Sequence, residues 1–200
     1  TRYNLPIEIL YTVAPAIMIG ALFVFTAKDQ AEIMKLTPDQ KNTVEVVGFK
    51  WNWGFNYESD NAFETGTPNK VAELWLPVNE RTRFQLVSPD VIHSFWVPSF
   101  LFKMDVIPGR LNQFELTPNK IGVFEGKCAE LCGTYHSDML FTVHVVSRAD
   151  YEKHIADLKT NPSAFGGAGK LESGRIVTTG NAGGSTTNTG DAGTTTGAKS

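Results

Sequence analysis

The chain has 200 residues, 42% of them hydrophobic and 20% charged, with a formal net charge of −3. Its pI is near 5.8 and it has no cluster of lysines and arginines, which argues against a phosphate-binding surface and hence against nucleic acid as a partner. The length suits one domain of ordinary size with residues to spare, and the only cysteines, Cys128 and Cys132, are too close in sequence to staple a fold, so they are read as a pair with local chemistry.

The first element is apolar. From Ile9 to Thr26 the chain reads ILYTVAPAIMIGALFVFT without a charge, and as a helix this stretch spans about 27 Å, roughly one bilayer core. A buried core helix would show a polar face, and a cleaved leader would have a shorter apolar region and a small-residue cleavage site. Residues 1–27 are therefore predicted as a transmembrane helix and the polar residues 28–42, with Pro38, as a linker.

From Thr43 the period changes. Trp51, Trp53, Phe55 and Tyr57 alternate with Lys50, Asn52, Gly54 and Asn56, the pattern of a strand. Alternation continues through Leu74-Trp75-Leu76, Phe84-Gln85-Leu86, Gln113-Phe114-Glu115-Leu116 and Phe141-Thr142-Val143-His144-Val145, punctuated by Pro77, Pro89, Pro108-Gly109 and Pro118. Many short strands imply a sandwich or barrel over residues 43–160, closed by a short amphipathic helix from Ala149 to Leu158 with Tyr151, Ile155 and Leu158 on one face. Residues 161–200 are rich in Gly, Thr, Ser, Asn and Ala; with few large apolar residues to offset ordering entropy, this segment is expected to be a disordered tail.

The chemistry concentrates in Cys128-Ala-Glu-Leu-Cys132-Gly-Thr-Tyr-His136-Ser-Asp-Met139, with His93 upstream in Asp-Val-Ile-His-Ser-Phe-Trp-Val-Pro. Two thiols, two imidazoles and a thioether are soft ligands that point to copper, zinc or iron, and the thioether favours copper. A mononuclear blue-copper site takes one cysteine and would leave the second over. Two thiolates bridging two copper ions would use every ligand, each ion taking one histidine and one weak axial ligand, Met139 or a backbone carbonyl of the loop. A tetrahedral zinc site of His93, Cys128, Cys132 and His136 remains open at this point, as does a buried cysteine pair.

The run from Cys128 to Met139, together with D-V-x-H-S-F-W-V-P and D-x-I-P-G-R-L-N-Q, resembles cytochrome c oxidase subunit II over roughly residues 5 to 155. The resemblance implies a mainly β, cupredoxin-like β-sandwich anchored by an N-terminal transmembrane α-helix. It implies a binuclear copper centre with ligands on His93, Cys128, Cys132, His136 and Met139, the sixth being the backbone carbonyl of Glu130. It also implies a magnesium ion on the Glu130 carboxylate at the boundary with the catalytic subunit, Trp51 as the aromatic through which electrons arrive, and Glu8 as a proton-uptake group. Asp105 and Arg110 match the family pattern, and structural ion pairing suits them equally.

The implied function is electron transfer from cytochrome c, soluble or tethered, to the haem-bearing catalytic subunit I beside other oxidase subunits, in a complex that reduces O2 and translocates protons. No haem belongs to this chain, which has no C-x-x-C-H motif. The implied place is a cell membrane, the bacterial plasma membrane ahead of the mitochondrial inner membrane, with the copper domain on the outer face, in keeping with Arg2 on the inner side. The family has two membrane helices before the copper domain, so a first helix is expected to precede Thr1. The acids Glu58, Asp60, Glu64 and Asp90 are candidates for a docking face toward a basic cytochrome. Two other readings compete: a copper-delivery protein, whose thioredoxin-like alternation of helices and strands is missing, and a structural subunit with a zinc- or disulfide-locked loop; nitrous oxide reductase has a similar motif, but a second large catalytic domain is not seen in this sequence, which carries the expected membrane anchor.

Overall fold

A computed structural model describes residues 2–67, 70–161, 166–168, 170–172 and 175–177. The chain divides into two units, Thr1–Pro38 and Asp39–Ser200.

The first unit is one helix, α1 (Leu5–Ile33). Asn4 caps it: its side chain accepts the Ile7 N–H and its own N–H donates to Glu8 Oε1 at 2.9 Å, a reciprocal arrangement that satisfies donors otherwise left open at a helix start. The most apolar stretch has mean hydropathy 2.1, and no residue of the helix is buried. Leu10, Ile17, Leu22 and Phe23 are all more than 60% exposed; a helix long and apolar enough to cross a membrane, bare on every side, fits a membrane anchor. It runs beyond the predicted end at residue 27, because Ala27, Lys28, Gln30, Ala31 and Glu32 are good helix formers and nothing breaks the run before Thr37-Pro38.

The second unit is a sandwich of two sheets. One has the order β11-β3-β2-β1-β5-β8, built from β1 (Thr43–Phe49), β2 (Asn52–Tyr57), β3 (Ala62–Thr65), β5 (Thr82–Val87), β8 (Asn112–Leu116) and β11 (Gly166–Ala168). The other has the order β4-β10-β9-β6-β7, from β4 (Ala72–Pro77), β6 (His93–Val97), β7 (Phe102–Val106), β9 (Gly122–Cys128) and β10 (Leu140–Val146). Pairing is antiparallel except for β1 with β5 and β10 with β4. The alternation seen in sequence becomes burial: Phe141, Val143 and Val145 point into the core, while Thr142, His144 and Val146 are only partly covered.

The core is aromatic. Phe95 stacks on Phe141 with centroids 4.8 Å apart, Phe84 stacks on Phe114 at 4.8 Å, and Trp53 meets Phe95 and Phe141 edge-on, geometries that suit the ring quadrupoles. α2 (Arg148–Thr160) packs Tyr151 and Ile155 against this core, and Ser147 caps its start.

The C-terminal segment departs from expectation in part. β11 adds to the edge of β3, and β12 (Lys170–Glu172) pairs with β13 (Arg175–Val177). Small residues make this possible: Gly166 is buried, and a Cβ there would meet Leu158 Cδ2 at 2.9 Å. Lys170 pairs with Glu45 at 3.2 Å and Glu58 at 3.7 Å. The remainder of the expected tail lies outside the described residues.

Candidate metal centre

β9 and β10 are antiparallel neighbours, and the loop joining them carries four of the candidate ligands. Cys128 ends β9, and its N–H donates to the Met139 carbonyl at 3.0 Å, closing the loop at its base. Between them the chain turns through a short 3-10 segment, His136–Asp138. The third neighbour is β6, where Phe95 pairs with Cys128 and the Ala129 N–H donates to the Ser94 carbonyl at 3.0 Å. His93, the first residue of β6, is thereby laid beside Cys128.

The side chains converge. The two sulfurs are 3.9 Å apart and unbonded to each other, so no disulfide locks the loop. His93 Nδ1 lies 4.0 Å from Cys128 Sγ, and His136 Nδ1 lies 3.6 Å from Cys132 Sγ. Met139 Sδ is 3.8 Å from Cys132 Sγ, and the Glu130 carbonyl oxygen is 3.2 Å from Cys128 Sγ. His93, Cys128, Cys132 and Met139 are all buried. Donors held about 2.0–2.3 Å from one ion at a tetrahedral angle lie about 3.3–3.8 Å apart, so these separations suit metal ligation with little movement.

The donors fall into two sets, each with one sulfur at its centre. Cys128 has His93 and the Glu130 carbonyl; Cys132 has His136 and Met139, and His136 also reaches Cys128. The ligand atoms of His93, Cys128 and Cys132 lie within 4.8 Å of one another, and His136 is not in that group. His136 joins them through its contact with Cys132, so the cluster can hold metal.

The two thiols are unlike. Burial pushes Cys128 up, but its contacts with His93 and with the backbone at Glu130 and Ser94 bring it down to about 6. Burial and the charge on Cys128 hold Cys132 up at about 12. The first proton therefore leaves easily and the second does not, the behaviour of two acids too close to ionise independently; positive metal charge is what allows both to be thiolates.

Asp90 supports the first set. Its carboxylate can only accept, so the 2.9 Å contact with His93 Nε2 places the ring proton there and leaves Nδ1 with its lone pair toward Cys128. Burial pushes His93 down, but its contacts with Cys128 and then with Asp90 raise it overall, and hydrogen bonds from His93 and from the Lys50 and Val91 N–H groups lower Asp90 against its own burial.

Trp51 is half-buried in the turn between β1 and β2, just before the strand in which it was expected. Its Nε1–H donates to the Cys132 carbonyl at 3.2 Å, and its ring meets Tyr135 edge-on at 5.0 Å. Gly133, at φ +121°, leaves room for it: a Cβ there would lie 3.1 Å from Trp51 Nε1. Trp53 is fully buried and donates Nε1–H to the Met139 carbonyl at 3.3 Å.

Glu8 belongs to the helix unit, where its carboxylate accepts the Asn4 N–H. The Glu130 carboxylate is exposed while its carbonyl faces the sulfurs. The acids proposed as a docking face have partners within the chain: Glu64 is buried against His154 and Lys70, Asp60 accepts from Tyr151, Glu58 meets Lys170, and Asp90 holds His93. Asp90, Tyr135 and Gly133 escaped the sequence reading as parts of the site; the available signal was an acid three residues before a ligand histidine.

Comparison with known proteins finds one family. A family model described as cytochrome c oxidase subunit II, periplasmic domain, matches residues 42–146. A probable cytochrome c oxidase subunit 2 of Streptomyces avermitilis is 45% identical over 196 residues, covering 79% of this chain and 61% of the relative. The chain thus spans about three fifths of that relative's length. The crystal structure of the periplasmic domain of subunit II (CoxB) of Bradyrhizobium japonicum superposes with TM-score 0.59 at 30% identity, over 64% of this chain and all of that one. A mixed disulfide intermediate between the thioredoxin-like protein TlpA and that type of subunit II domain gives TM-score 0.56 at 31% identity, over 64% of this chain and 98% of that one.

Proposed function

The chain belongs to the cytochrome c oxidase subunit II family, and from that premise we propose that it takes electrons from cytochrome c at a two-copper centre and passes them to a haem-bearing catalytic subunit. The observation that carries this reading is the pairing of donors around two sulfurs 3.9 Å apart. Cys128 and Cys132 would be shared by the two ions, and His93, His136, Met139 and the Glu130 carbonyl would supply the remaining ligands, one histidine to each ion. Two coppers sharing a charge supply a one-electron store that changes geometry little.

The protein's own residues do the rest. Burial of His93 and Met139 keeps water from the centre, which leaves its charge unscreened. Trp51 extends a π system from the Cys132 carbonyl toward Tyr135, which is 55% exposed, and so joins the centre to the surface where a donor would arrive. Supporting an oxidase setting are the apolar helix and the exposed Glu130 carboxylate, free to meet a magnesium ion at a boundary with subunit I. In this reading Glu8 takes up protons, residues 43–160 form the copper domain on the outer face of a bacterial plasma membrane, and a thioredoxin-like dithiol reduces any disulfide formed between Cys128 and Cys132 back to two thiols, itself becoming the disulfide, before loading.

The test uses the intact chain in detergent. After copper loading, metal analysis should give two coppers per chain, and mixing with a commercial reduced cytochrome c should oxidise the haem. Trp51→Ala should keep both coppers and slow that oxidation at least about tenfold, because tunnelling falls steeply once an aromatic bridge is lost. One copper per chain, zinc in its place, or two coppers that leave the cytochrome reduced would overturn the reading.

A further inference from the structure

Asp90 makes more contacts than a ligand-orienting carboxylate needs. One oxygen, Oδ1, takes His93 Nε2 at 2.9 Å, the Val91 N–H at 2.6 Å and the Ser88 hydroxyl at 3.3 Å. The other, Oδ2, takes the N–H of Lys50 at 2.7 Å. Lys50 is the residue before Trp51, in the turn that lifts this ring out of β1 and toward the loop. One carboxylate therefore grips a candidate copper ligand with one oxygen and the aromatic-bearing turn with the other, from positions 40 and three residues apart in sequence. Its side chain is only 25% exposed.

We propose that Asp90 is a positioning residue that fixes Trp51 relative to the copper centre by clamping His93 and the Lys50 backbone in one rigid unit. This rests on the electron-transfer reading above. The geometry closes a ring of contacts: Asp90 to His93, His93 beside Cys128, Cys128 beside Cys132, the Cys132 carbonyl to Trp51 Nε1, and the Lys50 N–H back to Asp90. Without the Asp90 link, Trp51 keeps its indole N–H bond, its contact with Tyr135 and its packing on the core but loses the anchor of its backbone turn, and His93 is free to place its ring proton on Nδ1, where it would block ligation. Glutamate would be a poor substitute, since an extra methylene moves both oxygens away from the turn.

The test reads the apo chain first, so that it does not depend on copper. In Asp90→Ala, nitrogen NMR should show the His93 proton no longer confined to Nε2, and exchange of the Lys50 amide should accelerate by at least about tenfold. Asp90→Asn retains an acceptor but loses one by turning an oxygen into a donor, so it should preserve only one of the two grips. On loading, Asp90→Ala should bind copper about 10–100-fold more weakly, the usual cost of losing such a support, and should slow oxidation of reduced cytochrome c further than weaker loading explains. An unchanged His93 tautomer and Lys50 exchange in the folded Asp90→Ala or Asp90→Asn chain would overturn the proposal. Failure of the wild-type chain to load two coppers, with the apo signatures intact, would instead strike the functional reading and leave the clamp standing.

Discussion

His93 and His136 present ring edges, whereas His144 and His154 present ring faces. The first two point Nδ1 at sulfur, 4.0 and 3.6 Å away. The second two lie on either side of the Trp75 indole, with centroids 4.5 and 4.1 Å from it and planes within 10°, while their Nε2 atoms turn to Glu73 and Glu64. Both pairs tie a strand of the second sheet to something else: His93 and His136 bring β6 to the ligand loop, and His144 and His154 bring β10 to α2 through Trp75 of β4. Sulfur decides the difference. Where two thiols are at hand the imidazole edge faces sulfur as a candidate ligand; where only carboxylates and an indole are, the imidazole becomes packing with a hydrogen bond.

That contrast can be broken most severely at Cys128. Cys128→Ser removes a donor shared by both sets, and copper bound per chain should fall from two to one or none by metal analysis, while His144→Gln, on the other pair, should leave two. A smaller effect is expected at the seam between the regions. A Cβ on Gly126 of β9 would enter the Phe141 ring, which packs against Trp53 beside His93. Gly126→Ala should cost about 1–3 kcal/mol of stability, measured by chemical denaturation.

His154→Gln sharpens the other side. Losing one face of the Trp75 stack should cost about 0.5–1.5 kcal/mol and leave copper content unchanged. The smallest effect lies in alkali. Tyr151 donates to Asp60 at 2.7 Å, and burial raises its phenol far above the usual 10.0; Tyr57 is raised by burial too. A group whose folded pKa is raised contributes stability below its unfolded value and loses it as pH rises beyond, so stability should fall above about pH 10, by up to about 1.4 kcal/mol per pH unit and group. Tyr151→Phe should make that decline shallower.

Much of this was legible in the sequence because its causes are local. The spacing of Cys128, Cys132, His136 and Met139 is set within one loop, and alternation along β10 reads directly as inside and outside. What escaped depends on residues far apart in the chain. Asp90 reads as one acid among several until Lys50 arrives from 40 residues away. His144 and His154 show no partner until β4 supplies Trp75 between them. The glycine-rich C-terminal stretch reads as unable to order itself, yet Gly166 fits beneath Leu158 because it has no side chain, a use of smallness that composition alone does not reveal.

The account stands on two metals sharing two sulfurs, and electron paramagnetic resonance of the copper-loaded intact chain tests that most directly. The account predicts a hyperfine pattern from one unpaired electron spread equally over two copper nuclei, lost on reduction. A pattern from a single copper nucleus, or a silent chain that retains zinc, would contradict it.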